Sequence, residues 1–223
     1  MKSQEKIVNL FIRLVIRCAC RIDGKDLSKL PLKGPYIIVI NHINFLEVPL
    51  LYLQFLPRAV RAFVKIETWS HPLYKYLAKW WGGIPVNRGK ADSSAMREGL
   101  ETLRRGDILV LAPEGTRSGT GQLQKGFAGV VALAARSRVP IYPVAHFGGE
   151  RLYRNLKKLR RTRITLRVGT PFFLNLKERR TTQQIRQQAV DQIMLRLARL
   201  LPESMHGYYA GREPLEGFLE ETK

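Results

Sequence analysis

What this chain has little of narrows its function first. Among 223 residues there are two cysteines, Cys18 and Cys20, and residues two apart on a helix or strand cannot reach disulfide geometry with each other. A disulfide scaffold is excluded and a reduced compartment is the simplest setting. Acidic residues are scarce, 18 Asp+Glu against 38 Lys+Arg, a formal charge of +20. The expected partner is therefore anionic: nucleic acid, an anionic membrane or a phosphorylated substrate. No apolar run reaches the roughly 20 residues a membrane span needs. There is no zinc-finger spacing, no aromatic nucleic-acid-binding strand signature, no P-loop spacing, no internal repeat and no low-complexity segment. With 45% hydrophobic residues the chain can still bury a substantial core, as one domain or a domain with an appendage, and disorder is excluded.

The N-terminal stretch 6–21 places Lys6, Asn9, Arg13, Arg17 and Arg21 at helical spacing around a broad apolar face of Ile7, Val8, Leu10, Phe11, Leu14, Val15 and Cys18. This predicts an amphipathic helix over residues 1–23. Arg13 interrupts the apolar core that a signal peptide needs. Such a helix lies in the plane of an anionic membrane with its arginines among the headgroups, or it packs on the domain.

Residues 36–40 form an unbroken apolar run, as expected of a strand buried on both faces. Asn41 and His42 follow at its carboxyl end, where open α/β sheets place ligand-binding groups. Glu47 stands five residues on, about 140° from His42 on a straight helix. The two side chains meet only if His42 lies in the turn and Glu47 on the first turn of the next helix. Asn44 and Glu47 also have the spacing of a capping box, which would leave His42 an ordinary loop histidine.

The rest alternates between strand and helix. Helices are expected at 45–55, 72–81, 91–104, 127–136 and 182–201, and strands at 61–65, 84–86, 107–111, 139–145 and 164–168. Leu73, Tyr74, Leu77, Trp80 and Trp81 crowd one side of the second of these helices, a pattern of core packing or of contact with lipid. Pro140 and Pro143 suggest an edge or strand-start position for 139–145. The alternation predicts an α/β domain with a mixed central sheet flanked by helices. Beyond Pro202 the composition announces no fold.

Residues 112–126 form a Gly- and hydroxyl-rich loop between a strand and a helix start, a sensible anion cradle of backbone amides. Arg117 could add a bidentate grip and Lys125 a point charge. The plainer alternative is a surface loop with a Glu114 to Arg117 ion pair. A second basic run, Arg151 to Arg163, is a solvated face or a contact for headgroups or donor phosphates.

In order, Asn41-His42 with Glu47, residues 83–88 ending in Arg88, Glu114-Gly115-Thr116-Arg117-Ser118, and residues 139–144 resemble the four blocks of the lysophosphatidic acid and glycerol-3-phosphate acyltransferase family. The likeness covers roughly residues 24–171. It implies an acyltransferase domain over 24–203, with 204–223 as a C-terminal tail. It further implies transfer of a fatty acyl group from acyl-CoA or acyl-ACP to the sn-2 hydroxyl of lysophosphatidic acid, or to glycerol-3-phosphate or another lysophospholipid. The setting implied is the cytoplasmic face of an anionic membrane, with no metal, no further cofactor and no nucleic acid partner. A non-catalytic lipid-binding member of the fold is the alternative from another class.

His42 would act as general base with Glu47 as its orienter. Arg88, Gly115, Thr116, Arg117 and Lys125 would bind the acceptor's phosphate, with Glu114 orienting these cations. The family's first block normally has aspartate where this chain has Glu47, and commonly serine where it has Asn44, so the pairing at position 47 is the point of departure.

Overall fold

The computed structural model describes residues 3–44, 47–87, 92–176, 182–214 and 217–221, with the side chains of residues 3, 4 and 47 excluded. Its elements run α1 (Ser3–Ala19), β1 (Cys20–Asp23), β2 (Tyr36–Ile40), α2 (Glu47–Phe55), β3 (Val60–Lys65), α3 (Pro72–Trp80), β4 (Gly83–Val86), α4 (Ser93–Arg104), β5 (Ile108–Leu111), α5 (Gly129–Ser137), β6 (Ile141–Phe147), α6 (Leu152–Lys157), β7 (Thr162–Val168), β8 (Phe172–Leu174), α7 (Gln183–Ala198) and β9 (Leu219–Glu221). The main sheet has the order β1-β7-β6-β2-β5-β3-β4, with β8 paired to β6 and β9 to β8.

Strands β6, β2, β5, β3 and β4 are mutually parallel, and β7 runs antiparallel to β6. The central strand β2 is buried along its whole length, as the unbroken apolar run required, because helices cover both faces. Alternate residues feed two cores. Ile37, Val39, Leu109 and Leu111 pack with α4, α5 and α7, whereas Tyr36, Ile38, Ile40 and Ile108 pack with Leu50, Leu51 and Phe55 of α2.

Strand β6 is central, not an edge, while Pro140 stands just before its first residue, the strand-start position the prolines also allowed. It pairs with β2 from Ile141 to Val144. The parallel register points the odd-numbered amides of β6 away from β2, toward β7 and β8. On that side β8 pairs at Ile141 and β7 only from Val144 onward. Pro143 sits in the gap between these pairings, where an absent N–H breaks no rung, and its carbonyl still accepts from Gly169 N–H at 2.9 Å.

Helix α3 also departs from the first of its two expectations, a crowded core face. Ala78 is its buried residue, while Leu73, Tyr74 and Tyr76 are exposed. Trp81, just past its end, stacks on Tyr52 and donates Nε1–H to Asn9 Oδ1 at 3.2 Å. This anchor fixes how α1 lies. Asn9 is buried, and Ile7, Leu10, Phe11, Leu14 and Val15 point outward, Phe11 at 66% exposure. A surface helix normally buries its apolar stripe; here much of that stripe faces away from the protein.

Residues after Pro202 are structured, contrary to what composition announced. Leu123 N–H donates to Met205 O and Tyr208 N–H to Leu123 O, both at 2.9 Å. Tyr209 is 1% exposed; its hydroxyl accepts from Gly126 N–H and donates to Asp191, each at 2.9 Å. These bonds are long-range, so no local pattern could announce them.

Candidate active site

The turn after β2 is held from three sides. Asn41 Nδ2 donates to His146 O at 2.8 Å, Asn41 Oδ1 accepts His146 N–H at 2.9 Å, and the His146 ring nitrogen Nε2 lies 2.8 Å from Asn41 O. Both residues are buried, and the mutual bonding offsets the cost of burying them. This clamp ties together the carboxyl ends of β2 and β6. Asn44 Nδ2 donates to Gly149 O at 2.9 Å, so its amide fastens the turn to the segment after β6, and α2 begins at Glu47.

The third tie runs to the loop after β5. His42 N–H donates to Glu114 Oε1 at 2.8 Å, and Gln124 N–H to Glu114 Oε2 at 2.9 Å. Glu114 is 1% exposed. A carboxylate so buried is tolerable only with such charge-assisted partners. Ser118 N–H then donates to His42 O, and Gly119 N–H to Ile43 O. The turn and the loop are thereby laced into one unit.

Within this loop Gly115 has φ +65°, the left-handed region that favours glycine, and its N–H donates to Ala112 O. Gln124 Nε2 reaches Thr116 O at 3.3 Å. Thr116, Arg117 and Lys125 are exposed. Asp92 caps α4 by accepting from Ala95 N–H and also holds Asn87 N–H, each at 2.9 Å. The Ala95 bond, then the Asn87 bond, hold its carboxyl below the usual aspartate range. Both described ends of the segment that carries Arg88 are therefore pinned. Arg88 and the Glu47 side chain lie outside the described residues.

His42, Gly115 and Arg117 line a cleft of about 670 Å³. Most of its lining is apolar, including Leu51, Tyr52, Phe55, Val60, Trp81 and Leu133. A basic residue and a histidine in a largely apolar cleft suit a ligand with a polar head and a hydrocarbon tail. Sequence reasoning missed the Asn41 to His146 clamp. The two residues are 105 positions apart, and only the strand order makes them neighbours.

A family model described as acyltransferase matches residues 21–146, more than half the chain. The chain belongs to the acyltransferase family. Similar curated proteins include a lyso-ornithine lipid O-acyltransferase of Pseudomonas aeruginosa, 33% identical over 118 residues, covering 51% of this chain and 43% of that protein. A 1-acyl-sn-glycerol-3-phosphate acyltransferase of Bacillus subtilis is 24% identical over 151 residues, covering 66% of this chain and 74% of that protein. The matched stretch of this acyltransferase-family chain spans about half or less of most of the curated relatives. The fold is shared with the crystal structure of the lysophosphatidic acid acyltransferase PlsC from Thermotoga maritima, with TM-score 0.60, 22% identity, and coverage of 86% of this chain and 80% of that one. Among the described residues no helix is long and apolar enough to cross a membrane, and no cluster of side chains could hold a metal ion.

Proposed function

We propose that this protein is an O-acyltransferase that moves a fatty acyl group from acyl-CoA or acyl-ACP to the sn-2 hydroxyl of lysophosphatidic acid, giving phosphatidic acid. The observation that carries the reading is that His42 and Arg117 line one largely apolar cleft. An alcohol is a poor nucleophile until a base takes its proton, and a neutral imidazole suits that task near neutral pH. His42 accepts the proton as the hydroxyl oxygen bonds to the thioester carbonyl carbon. The tetrahedral adduct collapses, the C–S bond breaks, and the imidazolium returns the proton to the leaving thiolate. Glu47 orients the ring and stabilises its cation. Arg117 and Lys125, with Arg88 and the amides of Gly115 and Thr116, hold the acceptor's phosphate and so position its hydroxyl. Glu114 fixes the His42 backbone.

The outward apolar stripe of α1, flanked by exposed Lys6, Arg13 and Arg17, supports a seat in the interface of an anionic membrane. The exposed Leu73, Tyr74 and Tyr76 of α3 support the same seat. The 33% identity to a lyso-ornithine lipid enzyme favours a second reading, the same chemistry on a different lyso-lipid head.

The test supplies acyl-CoA with a panel of lyso-lipid acceptors and reads products by mass spectrometry. Phosphatidic acid from wild type and none from His42→Ala is the expected result. Equal product from both proteins defeats the base assignment, and preference for lyso-ornithine lipid over lysophosphatidic acid defeats the acceptor.

A further inference from the structure

The basic run between Arg151 and Arg163 takes no part in the chemistry above, yet the fold brings part of it beside the catalytic turn. Because β7 runs antiparallel to β6, its amino end arrives where the parallel strands deliver their carboxyl ends. Ile164, Leu166 and Val168 are buried in the core beneath α2. Strand alternation therefore turns Arg163, Thr165 and Arg167 to the opposite face. There they line a groove of about 1180 Å³ together with Arg151 and Arg154. Arg151 pairs with Glu150 at 3.3 Å and Arg167 with Asp23 at 3.4 Å. Arg154 and Arg163 have no ion-pair partner among the described residues.

With Arg151 and Arg167 paired, Arg154 and Arg163 leave the groove a net positive charge that a bound anion would offset. At about 1180 Å³ the groove offers far more room than one phosphate fills. Its other walls are informative. Phe147, packed in part on the core, adds an aromatic ring, Glu150 a carboxylate paired with Arg151, and Thr120, Gln122 and Ser204 hydroxyl and amide groups. Arginines for phosphates, a ring for stacking and polar groups for base edges are the chemistry of a nucleotide that carries several phosphates. A concave groove suits such a small ligand better than the convex surface of an acidic protein.

The groove's position names the nucleotide. Gly119 lines it, and the same glycine bonds the turn at Ile43 while its neighbour Ser118 bonds His42. Groove and apolar cleft thus lie on either side of the loop that holds the base. We propose that the groove seats the phosphorylated adenosine end of an acyl-coenzyme A donor, with the acyl chain in the cleft and the pantetheine arm crossing at Ser118 to Gly121. This rests on the acyltransferase reading and adds to it the donor class and its place.

Calorimetry with unacylated coenzyme A compares the full chain with an Arg154→Gln/Arg163→Gln variant. Both side chains are exposed, and circular dichroism verifies that the variant is folded. The expected loss of affinity is about tenfold or more, since each lost charge-assisted bond is worth about a factor of ten. In turnover, the preference for acyl-coenzyme A over the unphosphorylated acyl-pantetheine thioester falls by a similar factor. A charge-reversed Arg163→Glu variant gives a larger loss. Unchanged coenzyme A affinity overturns the proposal. So does a raised KM for the acceptor with the donor's KM unaltered, and so does loss of binding to anionic vesicles in place of coenzyme A. Turnover with an acyl carrier protein by a chain that does not bind coenzyme A overturns it as well. A wild type that binds coenzyme A in this groove but acylates no lyso-lipid defeats the acceptor reading and leaves the groove standing.

Discussion

The buried carboxylate of Glu114 accepts the backbone N–H of His42 at 2.8 Å, so the residue proposed as base has its main chain fixed by a charge from another strand end. The second carboxylate oxygen holds Gln124 N–H, one residue before Lys125. One side chain therefore sets the relative position of the base and of the loop with its cation.

Replacing that carboxylate is expected to be felt in both stability and turnover. In Glu114→Gln one oxygen remains an acceptor, while the other position becomes an NH2 that opposes an N–H. A buried donor left unsatisfied costs about 1–3 kcal/mol. Urea denaturation measures that loss, and kcat for acyl transfer falls with it. Wild-type stability in Glu114→Gln would show that the two amides find other partners.

At Gly115 the backbone matters more than the space. Its φ is +65°, and an added Cβ would meet the Phe127 ring at 3.2 Å, but Phe127 is exposed and can swing away. The left-handed conformation itself costs an alanine about 1–2 kcal/mol. Gly115→Ala is expected to lose that much in chemical denaturation, and Gly115→Asn less, because asparagine tolerates this region.

The outward face of α1 separates surface binding from folding. Leu10→Asp with Leu14→Asp is expected to leave the melting temperature within about 4 °C, since two surface substitutions of about 0.5 kcal/mol each shift a chain of this size by no more than that. Binding to anionic vesicles should fall by about tenfold or more with this loss of buried apolar area. Co-sedimentation at two salt concentrations reads the result; vesicle binding equal to wild type refutes the membrane seat.

Alkaline pH should destabilise the fold through Tyr36. Burial, its largest cause, pushes the Tyr36 hydroxyl up to about 12, partly countered by the Arg58 cation; the hydroxyl donates to Pro31 O at 2.8 Å. An unfolded tyrosine ionises near 10. The folded chain thus resists losing this proton, and the stability it contributes is full below about pH 10 and lost as pH rises toward 12. Denaturation midpoints across that range test the slope. Tyr36→Phe flattens it in part, because Tyr209, also raised chiefly by burial, keeps its own share.

Much of the fold was legible in the sequence, for identifiable reasons. β2 and β5 are parallel and covered on both faces, so continuous apolar runs mark them; the helix expected over 91–104 is α4, which Asp92 caps. The prolines of β6 misled only in suggesting an edge, because their tolerance depends on where two neighbouring strands start and stop. For α3 the sequence left core packing and lipid contact both open, because aromatic spacing does not say which side is covered; the structure exposes Leu73, Tyr74 and Tyr76. At the candidate site the order of the blocks singled out His42, Gly115 and Arg117, and all three line one cleft. The anchoring of His42 by Glu114, and the Asn41 to His146 clamp, rest on pairs 72 and 105 residues apart. No local pattern records them.

The late segment around Tyr209 changes what shortening this chain would do. Its hydroxyl bridges Gly126 on the loop and Asp191 on α7, while Met205 and Tyr208 bracket Leu123. None of these residues belongs to the main sheet, so a chain cut after Pro202 keeps every strand from β1 to β8. What it gives up is β9, the buried Met205, Tyr209 and Phe218 that share a core with Ile37 and Val39 of β2, and the splint along residues 123–126, so Lys125 would lose its fixed station.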